Sequence, residues 1–188
     1  MVETKMVDTD LRYKDVETAL ASIYSIVEDE LAGFRARLRN FRNLGIPDLP
    51  KLGSGTHLSY TRDHLYQMFL ALELHTLAPP GPVAAFITEN WKKLSGTLRK
   101  AAVDGRDCVL VVGGTNSSDD NSKLYLMATA WLDKANRHGL ERMLFGDTKR
   151  DNPLLMVYLG SRLKQLERAL GDALVYRRME ERAARRGS

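Results

Sequence analysis

The chain has 188 residues, of which 44% are hydrophobic and 28% charged, a composition typical of a globular protein with a buried core. It has no run of about 18 apolar residues, and its first ten residues are polar and acidic, so we expect neither a membrane span nor a secretory signal. Its single cysteine, Cys108, excludes an internal disulfide and a cysteine zinc site, which favours a cytoplasmic protein.

Two helices are predicted in the first 45 residues. Apolar residues recur at helical spacing over 16–27, and in a second stripe Phe34, Leu38 and Phe41 stand at i, i+4 and i+7. The segment 44–47, LGIP, ends the second helix, because glycine accepts a left-handed cap and proline cannot continue the hydrogen-bond ladder. Two helices joined by a short break are what a helix-turn-helix requires, although a plain helical hairpin has the same pattern.

The second predicted helix carries arginines beside its apolar stripe. Arg35, Arg39 and Arg42 share the spacing of the stripe but lie roughly 90–100° around the helix from it. Residues 33–62 contain six Lys or Arg and one acid, whereas the whole chain contains 28 basic and 24 acidic residues, so the positive charge is local. A local excess of positive charge favours a phosphate backbone as the partner. A solvated helix face is the alternative.

A β-hairpin and two further helices are predicted next. Residues 52–60 form two short extended arms around a Ser-Gly tip, which is the outline of a wing. Thr61 is a suitable N-cap for a third helix, whose apolar residues recur over 65–72. A fourth helix is expected to begin near Pro82 and to end at Asp104-Gly105.

The C-terminal half has a different pattern. The runs 108–112, 123–130 and 154–159 predict strands of a small antiparallel sheet. The loop 113–122 lacks the Gly-Lys-Ser/Thr ending and the third glycine of nucleotide-binding loops, so we interpret it as a hairpin loop. A heptad pattern of about two repeats, with steps of four and three residues, predicts an amphipathic helix. Its apolar residues are Leu159, Leu163, Leu166, Leu170 and Ala173. This helix could pack on its own sheet or lie across a two-fold axis.

Part of the N-terminal half is similar to a known family. The sequence RNFRNLGIP over 39–47, followed by Gly53-Ser54-Gly55 and Tyr60-Thr61, resembles the winged helix-turn-helix of MerR-type transcription regulators. In that family a recognition helix ending R-Y-Y-E-x-x-G-L leads to a wing and then to Y-T at the start of the next helix. Arg39 matches the arginine of that motif and Gly45 matches its glycine.

The match is not complete. Phe41 stands at the second tyrosine of the motif, but Asn40 replaces the first aromatic residue and Arg42 replaces the acid. The second arm of the predicted wing has no arginine, and its nearest basic residue is His57. The resemblance covers roughly the first 90 residues and does not extend to the C-terminal half.

These observations predict a mainly α fold with a small β component (α+β). A winged helix-turn-helix DNA-binding domain is expected over 13–103, and an α+β dimerisation or effector region over 104–188. The resemblance implies a bacterial-type, cytoplasmic transcription regulator that binds double-stranded DNA sequence-specifically. A homodimer formed through the C-terminal region would bind a pseudo-palindromic site.

The predicted DNA-contacting residues fall into three groups. Those of the second helix would enter the major groove, those of the wing would approach phosphates or the minor groove, and two at the start of the third helix would contact the backbone. They are Arg35, Arg37, Arg39, Arg42 and Asn43; Lys51, Ser54, Gly55, Thr56 and His57; and Tyr60 and Arg62.

Other functions are weighed against this one. The four histidines stand apart in the sequence and no motif indicates a reaction, so we predict no enzyme, no cofactor and no metal site. One alternative is an interaction protein, such as an antirepressor or a recombination accessory factor. Another is a sensor whose C-terminal hairpin captures a small ligand. No pattern identifies an effector.

Overall fold

The computed structural model describes residues 10–49, 58–76, 78–104, 107–114, 124–131 and 154–186. They form five helices, namely α1 (Tyr13–Ile23), α2 (Leu31–Asn43), α3 (Arg62–His75), α4 (Pro80–Asp104) and α5 (Gly160–Arg186). They also form three strands, namely β1 (Cys108–Gly114), β2 (Leu124–Trp131) and β3 (Leu154–Tyr158). The predicted fold class, mainly α with a small β component, is confirmed.

The helix ends near α2 follow from local chemistry. The backbone N–H of Arg12 donates to the Asp15 carboxylate over 2.7 Å, which caps the first turn of α1. The helix stops at Ile23, earlier than its apolar pattern predicts, because Ser25 has a left-handed φ of 52°. A single turn of 3-10 helix then leads into α2. Gly45 has φ +83° and ends α2 where the sequence predicts.

Thr61 caps α3 as predicted. Its hydroxyl accepts a hydrogen bond from the backbone N–H of His64 over 3.3 Å, and its own N–H donates to Nδ1 of His64 over 3.2 Å. An isolated β-bridge precedes this cap. Leu11 and Tyr60 form an antiparallel bridge with reciprocal backbone hydrogen bonds of 2.9 and 2.8 Å. The start of the described chain is therefore joined to the segment that enters α3.

The three strands form one antiparallel sheet in the order β2-β1-β3. Cys108 pairs with Trp131 at one end of the β1–β2 ladder, and the register shifts between Val111 and Val112. The side chains of 108–112 are buried on both faces of the sheet. Cys108 is buried, and burial raises the pKa of its thiol to about 11.

A single hydrophobic core extends across the whole helical part. Leu163, Leu166 and Leu170 of α5 belong to the same buried cluster as Phe34 and Phe41 of α2. Helix α5 packs along α1 and α4. The heptad stripe of α5 is therefore covered by other helices of the same chain. It neither packs on its own sheet alone nor lies across a two-fold axis. The domain boundary at residue 104 stays a prediction, with a core that is continuous across it.

No helix within the described ranges is long and apolar enough to cross a lipid bilayer.

Candidate nucleic-acid interface

Helix α2 has one buried face and one open face. Phe34, Leu38 and Phe41 are buried, and this fixes the rotation of the helix about its axis. The residues opposite them are exposed, and several are small or carry an amide. This open face consists of Ala32, Ala36, Arg39, Asn40 and Asn43. Ala32, Ala36 and Asn40 are not among the predicted contact residues, although the spacing of the apolar stripe already places them on the opposite side.

The arginines that share a spacing have different environments in the structure. Arg35 is held by α1, because its Nη2 lies 2.7 Å and its Nε 2.9 Å from Oε1 of the buried Glu17. The hydrogen bond to this carboxylate raises the pKa of Arg35 further. Arg39 is exposed and forms no ion pair with any residue that the structure describes. Of these two cations, Arg39 is the one whose charge is not already compensated.

Arg42 lies in the contact between α2 and α1. Its guanidinium carbon is 5.2 Å from the ring centroid of Tyr13, at cation–π distance. The side chain is half-buried, and its Nε is buried without a hydrogen-bond partner in the described part of the chain. The expectation that three guanidinium groups form one open face therefore needs correction. The reason is that α1 contacts the side of α2 on which Arg35 and Arg42 lie, so that Glu17 pairs with Arg35 and Tyr13 packs against Arg42.

Arg37 occupies the other side of α2. Its guanidinium carbon lies 5.7 Å from the ring centroid of Phe34. It lines a cleft of about 890 Å³ between α2 and α3, together with Tyr24 and His75. Arg37 and Arg42 thus lie on different sides of the helix. A single ligand surface cannot contact both side chains equally.

Of the two residues predicted to contact DNA at the start of α3, Tyr60 is buried and Arg62 is paired within the chain. Tyr60 is 1% exposed, since the bridge to Leu11 turns its ring into the core. Arg62 pairs with Glu167 of α5 over 3.2 Å and is largely buried. These partners come from remote parts of the sequence, so local pattern could not reveal them. The predicted wing residues Lys51, Ser54, Gly55, Thr56 and His57 lie outside the described residues.

Two cations near α2 were not anticipated. Arg12 and Lys14, at the start of α1, line a cleft together with Arg42, and both form exposed ion pairs with the end of α5. Their partners are Glu181, at 2.7 Å, and Glu180, at 3.3 Å. The only sequence signal for them is a pair of basic residues around a helix start.

The site has no feature of a metal centre. In the described ranges, no group of three or more His, Cys, Asp or Glu side chains could hold a metal ion. The candidate interface consists of the open face of α2 and the cations beside it. No protein-family model matches the sequence, and no curated protein is detectably similar to it.

Proposed function

We propose that the protein is a sequence-specific DNA-binding transcription regulator that inserts α2 into the major groove. The open face of α2 is the observation that carries this proposal. Ala32 and Ala36 are small enough to allow close approach to base edges and to contact thymine methyl groups. Arg39 can donate two hydrogen bonds to guanine, while Asn40 and Asn43 can pair with adenine.

The support given to α2 by α1 agrees with this role. Helix α1 contacts α2 through the Glu17–Arg35 ion pair and through Tyr13 on Arg42, so α2 is held on a rigid base. Readout of bases requires side chains in fixed positions, and sites on rigid helices satisfy this requirement better than sites on loops. The Leu11–Tyr60 bridge brings the chain back beside α1 after the predicted wing. A winged helix-turn-helix is the finer fold that we propose.

The dimer is proposed to form through the C-terminal part of α5. Val175, Tyr176 and Met179 lie close together on this helix and are 55%, 60% and 63% exposed. Large apolar side chains grouped on a helix surface often mark a protein interface. A second copy of the chain could cover them, and a two-fold dimer would present two copies of α2 to a pseudo-palindromic site.

Gel shifts on random-sequence and genomic DNA fragments across a salt series test the proposal. We expect selective binding of a few fragments at physiological salt, with a steep salt dependence. Arg39→Ala should reduce discrimination at one base position by about 5- to 150-fold, equivalent to about 1–3 kcal/mol. Lys93→Ala, which removes an exposed cation from α4, is the control and should leave selectivity unchanged.

Two outcomes would contradict the proposal. Binding that is equally selective in the Arg39→Ala variant would show that α2 does not contact the bases. No shift of the unmodified protein even at low salt would exclude a DNA-binding function and would favour the interaction-protein hypothesis.

A further inference from the structure

A basic cleft lies where the start of α1 meets the end of α2. Its volume is about 850 Å³. Three of its lining residues are cations and one is an acid, Asp10, which partly offsets them. The lining consists of Asp10, Arg12, Tyr13, Lys14, Arg42, Leu58, Ser59 and Tyr60. The balance of charge favours an anionic ligand.

Two polar groups at this cleft have no hydrogen-bond partner among the described residues. The Tyr60 side chain is almost completely buried, yet its hydroxyl makes no hydrogen bond with the described residues, and the same holds for Nε of Arg42. Buried hydrogen-bonding groups are nearly always paired, because leaving one unpaired costs free energy. A ligand that accepts hydrogen bonds would remove this cost. Tyr60 and Arg42 are both donors, so the ligand must supply acceptors.

Apolar and aromatic packing holds both groups in place. The ring of Tyr60 is 6.0 Å from that of Tyr13 and 6.1 Å from that of His64, and its backbone is fixed by the bridge to Leu11. The Arg42 guanidinium lies over the other aromatic ring of the pair, that of Tyr13. The donors are thus positioned before any ligand arrives, which lowers the entropic cost of binding.

The protonation state of Tyr60 suits a donor. Burial raises the pKa of its phenol above 10, and the nearby Arg42 only partly offsets this rise. The hydroxyl therefore keeps its proton at neutral pH. At the rim, Arg12 and Lys14 are paired with Glu181 and Glu180 in exposed contacts, which a stronger anion can exchange at little cost.

We propose that this cleft is a phosphate-binding subsite in which Arg42 and Tyr60 donate hydrogen bonds to phosphate oxygens. The phosphate can belong to a DNA backbone or to a free phosphorylated small molecule. In the first case the inference rests on the proposed function, since the cleft adjoins the end of α2. In the second case it stands independently of it.

Thermal unfolding in a series of inorganic phosphate concentrations, with chloride at equal ionic strength as reference, tests the subsite. Binding to the native state raises the melting temperature by mass action, so phosphate should stabilise the protein more than chloride does. Tyr60→Phe and Arg42→Gln should each weaken the affinity for phosphate about tenfold, because each removes a hydrogen bond to a charged group. The rise in melting temperature at a given phosphate concentration should be smaller in both variants. Arg178→Gln, which neutralises an exposed cation of α5, should respond as the unmodified protein does.

Tyr60→Phe keeps the test valid if Arg42→Gln impairs folding. It removes only an unpaired hydroxyl, so without phosphate this variant should melt no lower than the unmodified protein. A lower melting temperature would show that the hydroxyl has a structural partner and would overturn the proposal. A phosphate response equal to the chloride response, or equal in all variants, would also overturn it.

Binding to a short random-sequence duplex at low salt separates the two sources of phosphate. If phosphate stabilises the protein but no duplex binds, the ligand is a free phosphorylated molecule, and the proposed DNA function fails while the subsite stands. If phosphate stabilises the protein but the duplex binds the unmodified protein and both variants equally, with the same salt slope, the ligand is again a free phosphorylated molecule, and the DNA function stands.

Discussion

Nη1 of Arg177, on α5, lies 2.5 Å from Oδ2 of Asp15, in the first turn of α1. The Asp15 side chain is 4% exposed, and the same oxygen accepts the backbone N–H of Arg12. One carboxylate therefore caps α1 and fixes α5 against it. The contact joins the two ends of the described chain.

Arg177→Ala should lower the free energy of unfolding by about 2 kcal/mol, because it leaves a buried carboxylate with one hydrogen-bond partner fewer. Urea unfolding followed by circular dichroism measures this loss. Arg178→Ala is the matched control, since the neighbouring side chain is exposed and should change stability by less than about 0.5 kcal/mol. Equal effects of the two variants would show that Asp15 does not depend on Arg177.

Glu17→Gln should strengthen binding to DNA at low salt. The change removes the negative charge that compensates Arg35, so one more phosphate contact becomes available. The slope of log K against log salt should become steeper by about one. Glu89→Gln removes an exposed acid of α4 and serves as the control in the same gel-shift series. If both variants leave the slope unchanged, Arg35 does not contact phosphate.

The stability of the protein should fall steeply above pH 10. Tyr24 donates a hydrogen bond to Glu73 over 2.5 Å, and Tyr66 donates one to Glu167 over 2.6 Å. Burial raises the pKa of both phenols well above 10, and the neighbouring carboxylates raise it further. Above pH 10 the tyrosines ionise in the unfolded chain but stay neutral in the folded one. Above pH 10 the free energy of unfolding should therefore fall by about 1.4 kcal/mol per pH unit for each tyrosine, and this stability is fully present below pH 10.

Tyr24→Phe should remove the contribution of one tyrosine to this alkaline slope. Urea unfolding at several pH values between 9 and about 11 measures it. Tyr158→Phe is the control, because that side chain is 57% exposed, and its slope should equal that of the unmodified protein. An unaltered slope in Tyr24→Phe would contradict the raised pKa of Tyr24.

Leu166→Ala should destabilise the whole protein in a single transition. Leu166 is buried in α5, and removal of its side chain leaves a cavity that costs about 2–5 kcal/mol. Because the core is shared, helix content and tryptophan fluorescence should change at the same urea concentration. Leu44→Ala, at a leucine that is partly exposed, should have a much smaller effect. Two separate transitions would favour the two-domain division at residue 104.

Local sequence patterns predicted the limits of the helices better than they predicted the contacts between them. The limits of α2 follow from its apolar spacing and from Gly45, and the cap of α3 follows from Thr61, because these signals lie within a few residues. The same spacing could not show that α1 covers Arg42, or that Arg62 meets Glu167, since the contacting residues are far away in the sequence. Periodicity identifies which face of a helix is buried and leaves the covering surface open.

The final turns of α5 have a property that its first turns lack. After Ala173 and the partly buried Leu174, the helix is attached to α1 through charged side chains, Arg177, Glu180 and Glu181. Salt weakens the exposed pairs of Glu180 and Glu181, but it leaves apolar packing and the buried Arg177–Asp15 pair largely intact. The ordered length of the longest helix therefore depends on the ionic strength of the medium. At high salt its last turns should fray and release Arg12 and Lys14 from Glu181 and Glu180, whereas at low salt these pairs should stay formed.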